Sequence, residues 1–342
     1  MPYEMKGTIM ILSIWVTNNC NMKCDYCYEK NKSNLNMDAS YINSIIDFID
    51  KVYPQSDSPN LFVKFFGGEP LLNFTFIKEF IKIMDNSKGK YGIVRYSMTT
   101  NGTLLTHEII DYLKMHQIEC SISIDGYPDI HNLQRKMKNG NDSWHYIENH
   151  LEYALNTMKS LIARITYSSV TVHGLYDSVQ FLVRRGFKNI SLFPDFFDEN
   201  WDAQSLESLK QQFFKIKEYD KNTDGVNIST GNYADNLSKG YVGCGGGYNT
   251  YSISVNGDVY PCTYAVDYPQ FKLGSIFDID NYKVVKHITE NDKRSDCKGC
   301  RYFYICQSGR CIFLNYKISG EFYRTSGFFC EYQKLEYKYN GL

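Results

Sequence analysis

Three cysteines close to the N-terminus have the spacing of a metal-cluster site. Cys20, Cys24 and Cys27 are separated by three and by two residues. Thiolates are soft ligands that select iron–sulfur clusters, zinc or copper(I). A 4Fe–4S cluster has four irons, so three cysteines leave one iron open for chemistry, just as catalytic zinc sites keep one position open. A zinc site or a disulfide cluster is the alternative, but the neighbouring sequence supplies no further cysteine or histidine for zinc.

A second group of cysteines lies towards the C-terminus, where seven of the eleven occur. Cys297 and Cys300 form a CxxC pair, and such a pair would also suit zinc. The group consists of Cys244, Cys262, Cys297, Cys300, Cys306, Cys311 and Cys330. Cys120 has no cysteine neighbour, and we expect it to be a small buried residue of a strand.

Composition excludes several classes of function. The chain has 342 residues, of which 43% are hydrophobic and 22% charged, as in ordinary globular proteins with room for a large and a small domain. A net charge of −1 without a basic block predicts no nucleic-acid or membrane partner. The apolar run from Thr8 to Val16 is too short to span a membrane, and no small-residue cleavage site follows it. We therefore expect an anaerobic, cytoplasmic protein, in which many cysteines indicate metal rather than disulfides.

Strand-like and helix-like segments alternate over roughly the first 220 residues. Six such units predict an α/β fold with a parallel sheet, but they fall short of a complete eight-unit barrel of about 250 residues. Residues 223–241 are rich in Asn, Gly, Ser and Asp, which predicts a connector. We place the domain boundary near residue 235, so that residues 1–235 form the first domain and 236–342 the cysteine-rich second one.

Polar motifs follow directly after several predicted strands. Gly67-Gly68-Glu69-Pro70 combines glycines that allow close backbone approach with a carboxylate that can hold an ammonium group, although a simple turn would look similar. Ser123 and Arg135 lie in the stretch Ser123-Ile-Asp125-Gly126…His131…Arg135, which otherwise reads as a strand, a turn and a solvated helix.

Two further polar residues belong to strands of this series. Arg164 lies inside an apolar strand, where an unpaired charge is costly, so an anionic partner is expected. Asn101 ends its strand and is either a site residue or a turn residue.

The cysteine loop together with these motifs resembles the radical SAM enzymes. In that family the open iron is chelated by the amino and carboxylate groups of S-adenosylmethionine (SAM), and one electron then releases a 5′-deoxyadenosyl radical. The resemblance implies an open, partial (β/α)6 TIM-like barrel with the ligand at the C-terminal strand ends. It implies these SAM contacts: Tyr26 near the adenine, Gly67 to Pro70 at the amino group, Ser123 at the ribose, Arg135 at the carboxylate, and Asn101 and Arg164 nearby.

The C-terminal cysteines resemble the SPASM extension of radical SAM enzymes that modify peptides and proteins. The resemblance implies two auxiliary 4Fe–4S clusters, hence three clusters in all, as an alternative to a pair of zinc ribbons. The first auxiliary cluster would take Cys244, Cys262 and Cys311, and the second Cys297, Cys300, Cys306 and Cys330. Four residues separate Cys306 from Cys311, where the usual pattern has three. This departure affects only the assignment of Cys311 as a cluster ligand.

The predicted function is a radical SAM peptide maturase, an oxidoreductase that abstracts hydrogen from a ribosomally made peptide and forms a thioether, a carbon–carbon bond or a related modification. An anaerobic sulfatase-maturating enzyme is one alternative. Against it, Gly245 to Thr250 contains no cysteine and Thr263, rather than aspartate, follows Cys262. A non-catalytic, metal-stabilised binding protein is the other alternative.

The prediction implies further partners. These are a peptide or protein substrate and an external one-electron donor of the flavodoxin or ferredoxin type. Because few residues precede Cys20, we expect leader-peptide recognition to come from the SPASM domain or a separate binding protein, or not to be needed. With three cysteines, the first auxiliary cluster would have an open iron for a substrate cysteine, unless Tyr248, Asp258 or a displaced Cys311 completes it differently.

Overall fold

The structure, a computed structural model, describes residues 9–29, 32–53, 60–86, 89–230, 244–283, 295–303, 306 and 311–339. The strands are β1 Ile9–Thr17, β2 Met22–Cys24, β3 Asn60–Gly67, β4 Val94–Thr100, β5 Glu119–Ser123, β6 Arg135–Met137, β7 Ile162–Tyr167, β8 Asn189–Pro194, β9 Asn227–Ser229, β10 Thr250–Ile253, β11 Asp258–Tyr260 and β12 Gly274–Ser275. The helices are α1 Ile42–Val52, α2 Phe74–Asn86, α3 His107–Met115, α4 Pro128–Gln134, α5 Trp144–Thr157, α6 Leu175–Arg184, α7 Ala203–Lys221, α8 Ile312–Ser319 and α9 Gly327–Tyr339.

A largely parallel sheet forms the centre of the molecule. In the described part of the chain its strand order is β12-β11-β10-β1-β3-β4-β5-β7-β8-β9. Six of these strands lie side by side in the order in which they occur in the chain, and each pairs in parallel with the next. They are β1, β3, β4, β5, β7 and β8. This confirms the predicted α/β partial barrel. Because the strands run the same way, their C-terminal ends, and the motifs that follow them, meet at one edge.

Amphipathic helices cover the barrel strands. Helix α1 buries Ile42, Ile45 and Ile49, which recur at helical spacing and pack into the main core. Asp38 does not cap this helix directly but caps the short 3-10 turn that precedes it. Its carboxylate accepts a hydrogen bond from the Ser40 N–H at 2.8 Å. None of the helices in the described ranges has the length and apolarity needed to cross a bilayer.

The C-terminal region is joined to the barrel through the sheet. Strand β10 pairs in parallel with β1, and β11 and β12 continue the sheet in antiparallel fashion. At the opposite edge, β9 pairs with β8 inside the segment that was predicted to be a connector, and this part of the connector prediction is wrong. Ile228, the middle residue of β9, is buried, and this burial favours the strand. The predicted boundary near residue 235 lies outside the described residues and stays a prediction.

Candidate active site

The loop that carries the first three cysteines is held by a small second sheet. Strand β2 pairs antiparallel with β6, and Cys24 lies directly opposite Arg135. On either side of this ladder, the Asp25 N–H donates to the Gln134 carbonyl at 2.9 Å and the Lys138 N–H to the Asn21 carbonyl at 3.0 Å. The segment after α4 therefore fixes the cysteine loop from one side.

The thiols of Cys20, Cys24 and Cys27 are close enough to affect one another. Burial raises the pKa of Cys24 to about 11, and the two other thiols add to the rise while Arg135 opposes it. Burial acts to lower the pKa of Lys32, but the three thiols beside it raise that pKa above its ordinary value. Lys32 and Arg135 therefore place two positive charges beside these thiols, which suits an anionic cluster. In the described ranges, no three Cys, His, Asp or Glu side chains are placed to enclose a single metal ion.

The two glycines after β3 serve a contact within the protein. A Cβ at Gly67 would lie 2.1 Å from the Thr17 carbonyl oxygen, and one at Gly68 would lie 2.2 Å from that of Asn19. The backbone here runs against the cysteine loop, and the Glu69 N–H donates to the Asn19 carbonyl at 2.8 Å. These glycines therefore allow two protein segments to approach closely, and their predicted contact with a ligand stays a prediction.

Glu69 is buried and firmly oriented. One carboxylate oxygen accepts from the Thr100 hydroxyl at 2.7 Å and the Leu71 N–H at 3.2 Å, and the other accepts from the Asn101 N–H at 2.7 Å. Burial raises the pKa of Glu69 to about 7, although these three hydrogen bonds oppose the rise. A buried carboxylate fixed at this strand edge suits an ammonium ligand, so the predicted contact with the SAM amino group remains physically sound.

Asp125 links three predicted site residues. It accepts from the Tyr26 hydroxyl at 2.7 Å and from Arg135 Nε at 2.9 Å on one oxygen, and from the Thr166 N–H at 2.8 Å on the other. The Arg135 guanidinium also lies over the Tyr26 ring, 5.0 Å from its centroid. In the structure Arg135 therefore has a protein carboxylate as its partner, and its predicted contact with the SAM carboxylate stays a prediction.

Asn101 and Ser123 lie at the ends of adjacent strands. The Asn101 side chain donates to the Asn21 side chain at 2.8 Å and accepts from the Thr103 N–H at 3.0 Å. Asn101 thus connects the end of β4 to the cysteine loop and is also a turn residue, and its role at the SAM site stays a prediction. Ser123 is the half-buried last residue of β5, beside Arg164 of β7.

An aromatic wall lies between the first cysteine group and Cys262. Tyr28 follows Cys27 directly, and its ring centroid is 6.0 Å from that of Tyr264, which follows Cys262 by two positions. Arg164 lies close to both rings, with its guanidinium 3.8 Å from the centroid of the Phe193 ring. Burial lowers the pKa of Arg164, and the nearby Tyr264 and Tyr28 side chains oppose the fall.

Glu29 and Lys317 add opposite charges beside this wall. Glu29 is only 7% exposed, and within the described ranges neither of its carboxylate oxygens has a hydrogen-bond partner. Burial, with help from Asp267, raises the pKa of Glu29 to about 7, against the effect of Lys317 and Lys32. The Lys317 ammonium lies 5.1 Å from the centroid of the Tyr28 ring. We call Glu29, Tyr28, Arg164, Tyr264 and Lys317 the charged aromatic group.

The C-terminal cysteines fall into two groups. Burial raises the pKa of Cys311 to about 12, and the nearby Cys244 raises it further. Burial also raises the pKa of Cys262, and both Cys311 and Cys244 raise it further. In the other group, burial raises the pKa of Cys330, with further contributions from Cys306 and Cys300. The Cys300 N–H donates to the Cys297 carbonyl at 3.1 Å. These groups agree with the predicted ligand sets, which stay predictions.

The candidates for a further ligand to the first group are placed differently. Tyr248 is 57% exposed, and Asp258 pairs with Lys272 at 2.5 Å. Cys311 stays with Cys244 and Cys262 despite its altered spacing. In the described part of the chain, the groups that shift the pKa of these three thiols include no carboxylate.

Comparison with known families identifies the two halves of this arrangement. Residues 14–184, half of the chain, match the family model of the radical SAM superfamily. The chain belongs to this superfamily. Residues 244–308 match SPASM, an iron–sulfur cluster-binding domain. The cofactors of this radical SAM protein are therefore SAM and 4Fe–4S clusters, and its chemistry is of the oxidoreductase type.

Curated relatives of this radical SAM protein differ in their named activities. An uncharacterized protein of Methanocaldococcus jannaschii is 32% identical over 192 residues, which cover 53% of this chain and 60% of that relative. The cysteine-type anaerobic sulfatase-maturating enzyme of Clostridium novyi is 24% identical, over 89% of this chain and 88% of its own. The radical SAM cyclopropyl synthase TigE of Paramaledivibacter caminithermalis is 25% identical, over 90% and 69% respectively.

Two solved structures share the fold across nearly the whole chain. Native anSMEcpe with bound AdoMet and Cp18Cys peptide has a TM-score of 0.77 at 20% identity, covering 97% of this chain and 96% of its own. Streptococcus suis SuiB bound to the precursor peptide SuiA has a TM-score of 0.68 at 17% identity, covering 94% and 76%. At these identities the likeness concerns the fold.

Sequence reasoning missed several residues of the site. Asp125 was visible in its motif but received no role, because its partners Tyr26 and Thr166 are distant in sequence. Glu29 and Lys317 carried no signal, since only the folded chain shows that one is buried without a partner and the other lies beside it.

Proposed function

We propose that this radical SAM protein is a peptide maturase. It abstracts hydrogen from a side chain or a Cα atom of a ribosomally made peptide, and a thioether, a carbon–carbon bond or a related modification results. The observation that carries the proposal is the charged aromatic group, because it lies between Cys27 on one side and Cys262 on the other. A substrate bound beside this group would lie between the radical cluster and an auxiliary cluster.

The roles follow from the positions of the side chains. Bound SAM and the reduced cluster supply the 5′-deoxyadenosyl radical that takes the hydrogen atom. Cys20, Cys24 and Cys27 would hold that cluster, and Glu69 would orient the SAM amino group. Tyr28 and Tyr264 form an apolar wall that excludes water from a carbon radical. The unpaired carboxylate of Glu29 would accept hydrogen bonds from the peptide.

The proposal includes two kinds of partner besides the peptide. An external one-electron donor of the flavodoxin or ferredoxin type would reduce the radical cluster. A separate leader-peptide-binding protein would be needed only if the SPASM domain does not recognise the peptide itself. Relatives support a peptide or protein substrate, since SuiB binds the precursor peptide SuiA.

Sulfatase maturation is the second candidate, because it is the named activity of the Clostridium novyi relative. Against it, Thr263 follows Cys262 and the stretch after Cys244 has no further cysteine. The two activities can be separated by product. A sulfatase-derived cysteine peptide would become formylglycine, whereas a maturase would leave that peptide unchanged and modify its own precursor.

The first test concerns the clusters. Anaerobically reconstituted protein should bind about twelve irons, in three clusters of four, and should cleave SAM once reduced. Replacing Cys20, Cys24 and Cys27 by Ala should remove about four irons and all SAM cleavage. Cys120→Ala is the matched control and should keep both, since Cys120 belongs to neither group. Undiminished cleavage in the triple variant would refute the assignment.

The second test concerns the product. A short open reading frame beside the gene would be co-expressed with the enzyme, and the peptide weighed by mass spectrometry. Loss of about two hydrogen masses in an assigned residue pair supports a crosslink. With Cys297→Ala and Cys300→Ala combined, modification should be lost while some SAM cleavage survives. Full modification by that variant would remove the second auxiliary cluster from the mechanism.

A further inference from the structure

The register of the small sheet places an arginine against a cluster cysteine. Cys24 and Arg135 are direct partners in the β2–β6 ladder. Arg135 Nη1 lies 4.0 Å from Cys24 Sγ, within the range of a hydrogen bond to sulfur. The guanidinium is therefore a positive, N–H-bearing neighbour of one of the three thiols that would hold the radical cluster.

This position of Arg135 is fixed by other buried groups. Arg135 is only 5% exposed, and its Nε atom donates to Asp125 at 2.9 Å. Asp125 is 2% exposed and is itself held by the Tyr26 hydroxyl and the Thr166 N–H. Because one nitrogen of the planar guanidinium is anchored to Asp125, the other is directed towards Cys24 with little freedom to move.

A donor at this place has a definite electrostatic effect. Reduction adds one negative charge to a cluster that its thiolate ligands already make anionic. A buried positive group and an N–H donor at a ligand sulfur stabilise the more negative, reduced form, so they raise the reduction potential. A low-dielectric environment strengthens the effect, and both Arg135 and Asp125 are buried.

We propose that Arg135 is a positioning residue that donates to the sulfur of Cys24 and sets the reduction potential of the radical cluster, with Asp125 fixing its orientation. The role is separate from contact with the SAM carboxylate, which the sequence alone had suggested for Arg135. It applies before SAM binds, and it is independent of which peptide the enzyme modifies.

The test is a potentiometric titration of the reconstituted full-length protein in the absence of SAM. The reduced cluster is monitored by electron paramagnetic resonance. The radical-cluster signal is the one that is missing from the variant in which Cys20, Cys24 and Cys27 are all Ala. In Arg135→Gln, the reduced-to-oxidised ratio at a fixed potential should fall about tenfold, equivalent to a shift of about 59 mV to lower potential.

Lys136→Gln is the matched control. Lys136 is the next residue of β6, and it pairs with Asp142 at 2.5 Å on the outside of the protein. Its loss should leave the potential unchanged, so an equal shift in this variant would overturn the proposal. A full iron content with an unchanged or raised potential in Arg135→Gln would also overturn it, and a loss of SAM affinity alone would place Arg135 at the SAM carboxylate.

Arg135→Lys covers the case in which Arg135→Gln fails to assemble the cluster. Lysine keeps the charge but cannot contact Asp125 and Cys24 together. It should keep the iron and lower the potential by less than the glutamine variant would. A wild-type potential in Arg135→Lys with full iron would mean that no directed hydrogen bond is needed, and the proposal would be wrong.

Discussion

Glu69 shows how the strand edge prepares a single charged group for a ligand. Its two oxygens are oriented by Thr100, Asn101 and Leu71, and the side chain is 1% exposed. Burying a carboxylate is costly unless a partner compensates it, and these neutral donors compensate only in part, since burial still raises its pKa to about 7. A cationic ligand would complete the compensation.

Glu69→Gln tests this interpretation. The substitution keeps the shape but removes the charge that would face the SAM ammonium. Since a hydrogen bond to a charged group contributes about 1.5–3 kcal/mol, SAM affinity should fall roughly 10- to 100-fold. The measurement is SAM binding by calorimetry under anaerobic conditions. Glu79→Gln, an exposed acid on α2, should bind SAM normally. Normal affinity in Glu69→Gln would move the ammonium site elsewhere.

At the scale of elements, the segment after β3 and the cysteine loop depend on each other. Gly68→Ala would place a methyl group 2.2 Å from the carbonyl oxygen of Asn19 and 2.6 Å from its carbonyl carbon. Both are backbone atoms, so they cannot rotate away as a side chain could. We expect a loss of about 1–3 kcal/mol in stability and incomplete assembly of the radical cluster, because Cys20 must shift. Thermal unfolding and iron content measure these two effects.

Gly327→Ala provides the matched comparison for that substitution. Gly327 begins α9, and a methyl group there would meet nothing within 4 Å. Its effect should stay within about 0.5 kcal/mol. If the two alanine variants were equally stable and equally loaded with iron, the close contact at Gly68 would not be required.

Helix α9 contains a carboxylate whose burial makes stability depend on pH. Glu336 is 0% exposed and accepts a hydrogen bond from Gln333 at 2.5 Å. Burial raises its pKa from 4.5 to about 8. Between these values the folded chain keeps a proton that the unfolded chain releases, so stability falls as pH rises through this window and is constant above it. The slope is at most about 1.4 kcal/mol per pH unit.

Glu336→Gln should therefore flatten the pH dependence of the unfolding midpoint between about pH 5 and about pH 8. Its advantage over the native protein should grow as pH rises, because glutamine never has to ionise. Glu331→Gln serves as the control, since Glu331 is exposed on the same helix and pairs with Lys334 at 2.7 Å. An unchanged slope in Glu336→Gln would show that Glu336 releases its proton in the folded state at its ordinary pKa.

Local patterns predicted the barrel elements well and the long-range pairings poorly. The barrel strands β1, β3, β4, β5, β7 and β8 could be predicted because each contains an apolar run of strand length, and several of them have a polar motif directly after the run. Strand β9 could not, because three residues in a polar segment become a strand only through pairing with β8. The same holds for β6, whose pairing with the cysteine loop depends on contacts between residues far apart in the sequence.

At the scale of the whole molecule, β1 explains why the two cysteine groups face each other. Its C-terminal end leads into the first cysteine loop, and β10 pairs along its side before the chain reaches Cys262. The SPASM region is thus an extension of the barrel sheet, and Tyr28 and Tyr264 lie between the two cysteine groups. Under the proposed function, the substrate would bind at a site made from both regions.

Glu29 provides a test of that shared site. Its carboxylate is buried at the barrel side of the charged aromatic group, without a hydrogen-bond partner in the described ranges, and Lys317 lies near it on α8. Glu29→Gln removes a charged acceptor that the peptide would use, so kcat/KM for the modified peptide should fall at least about tenfold. SAM cleavage without peptide should stay at the native rate, because Glu29 is not among the predicted SAM contacts. Glu207→Gln, an exposed acid paired with Lys210 on α7, should leave both rates unchanged. Equal losses of both rates in Glu29→Gln would instead assign Glu29 to the radical cluster.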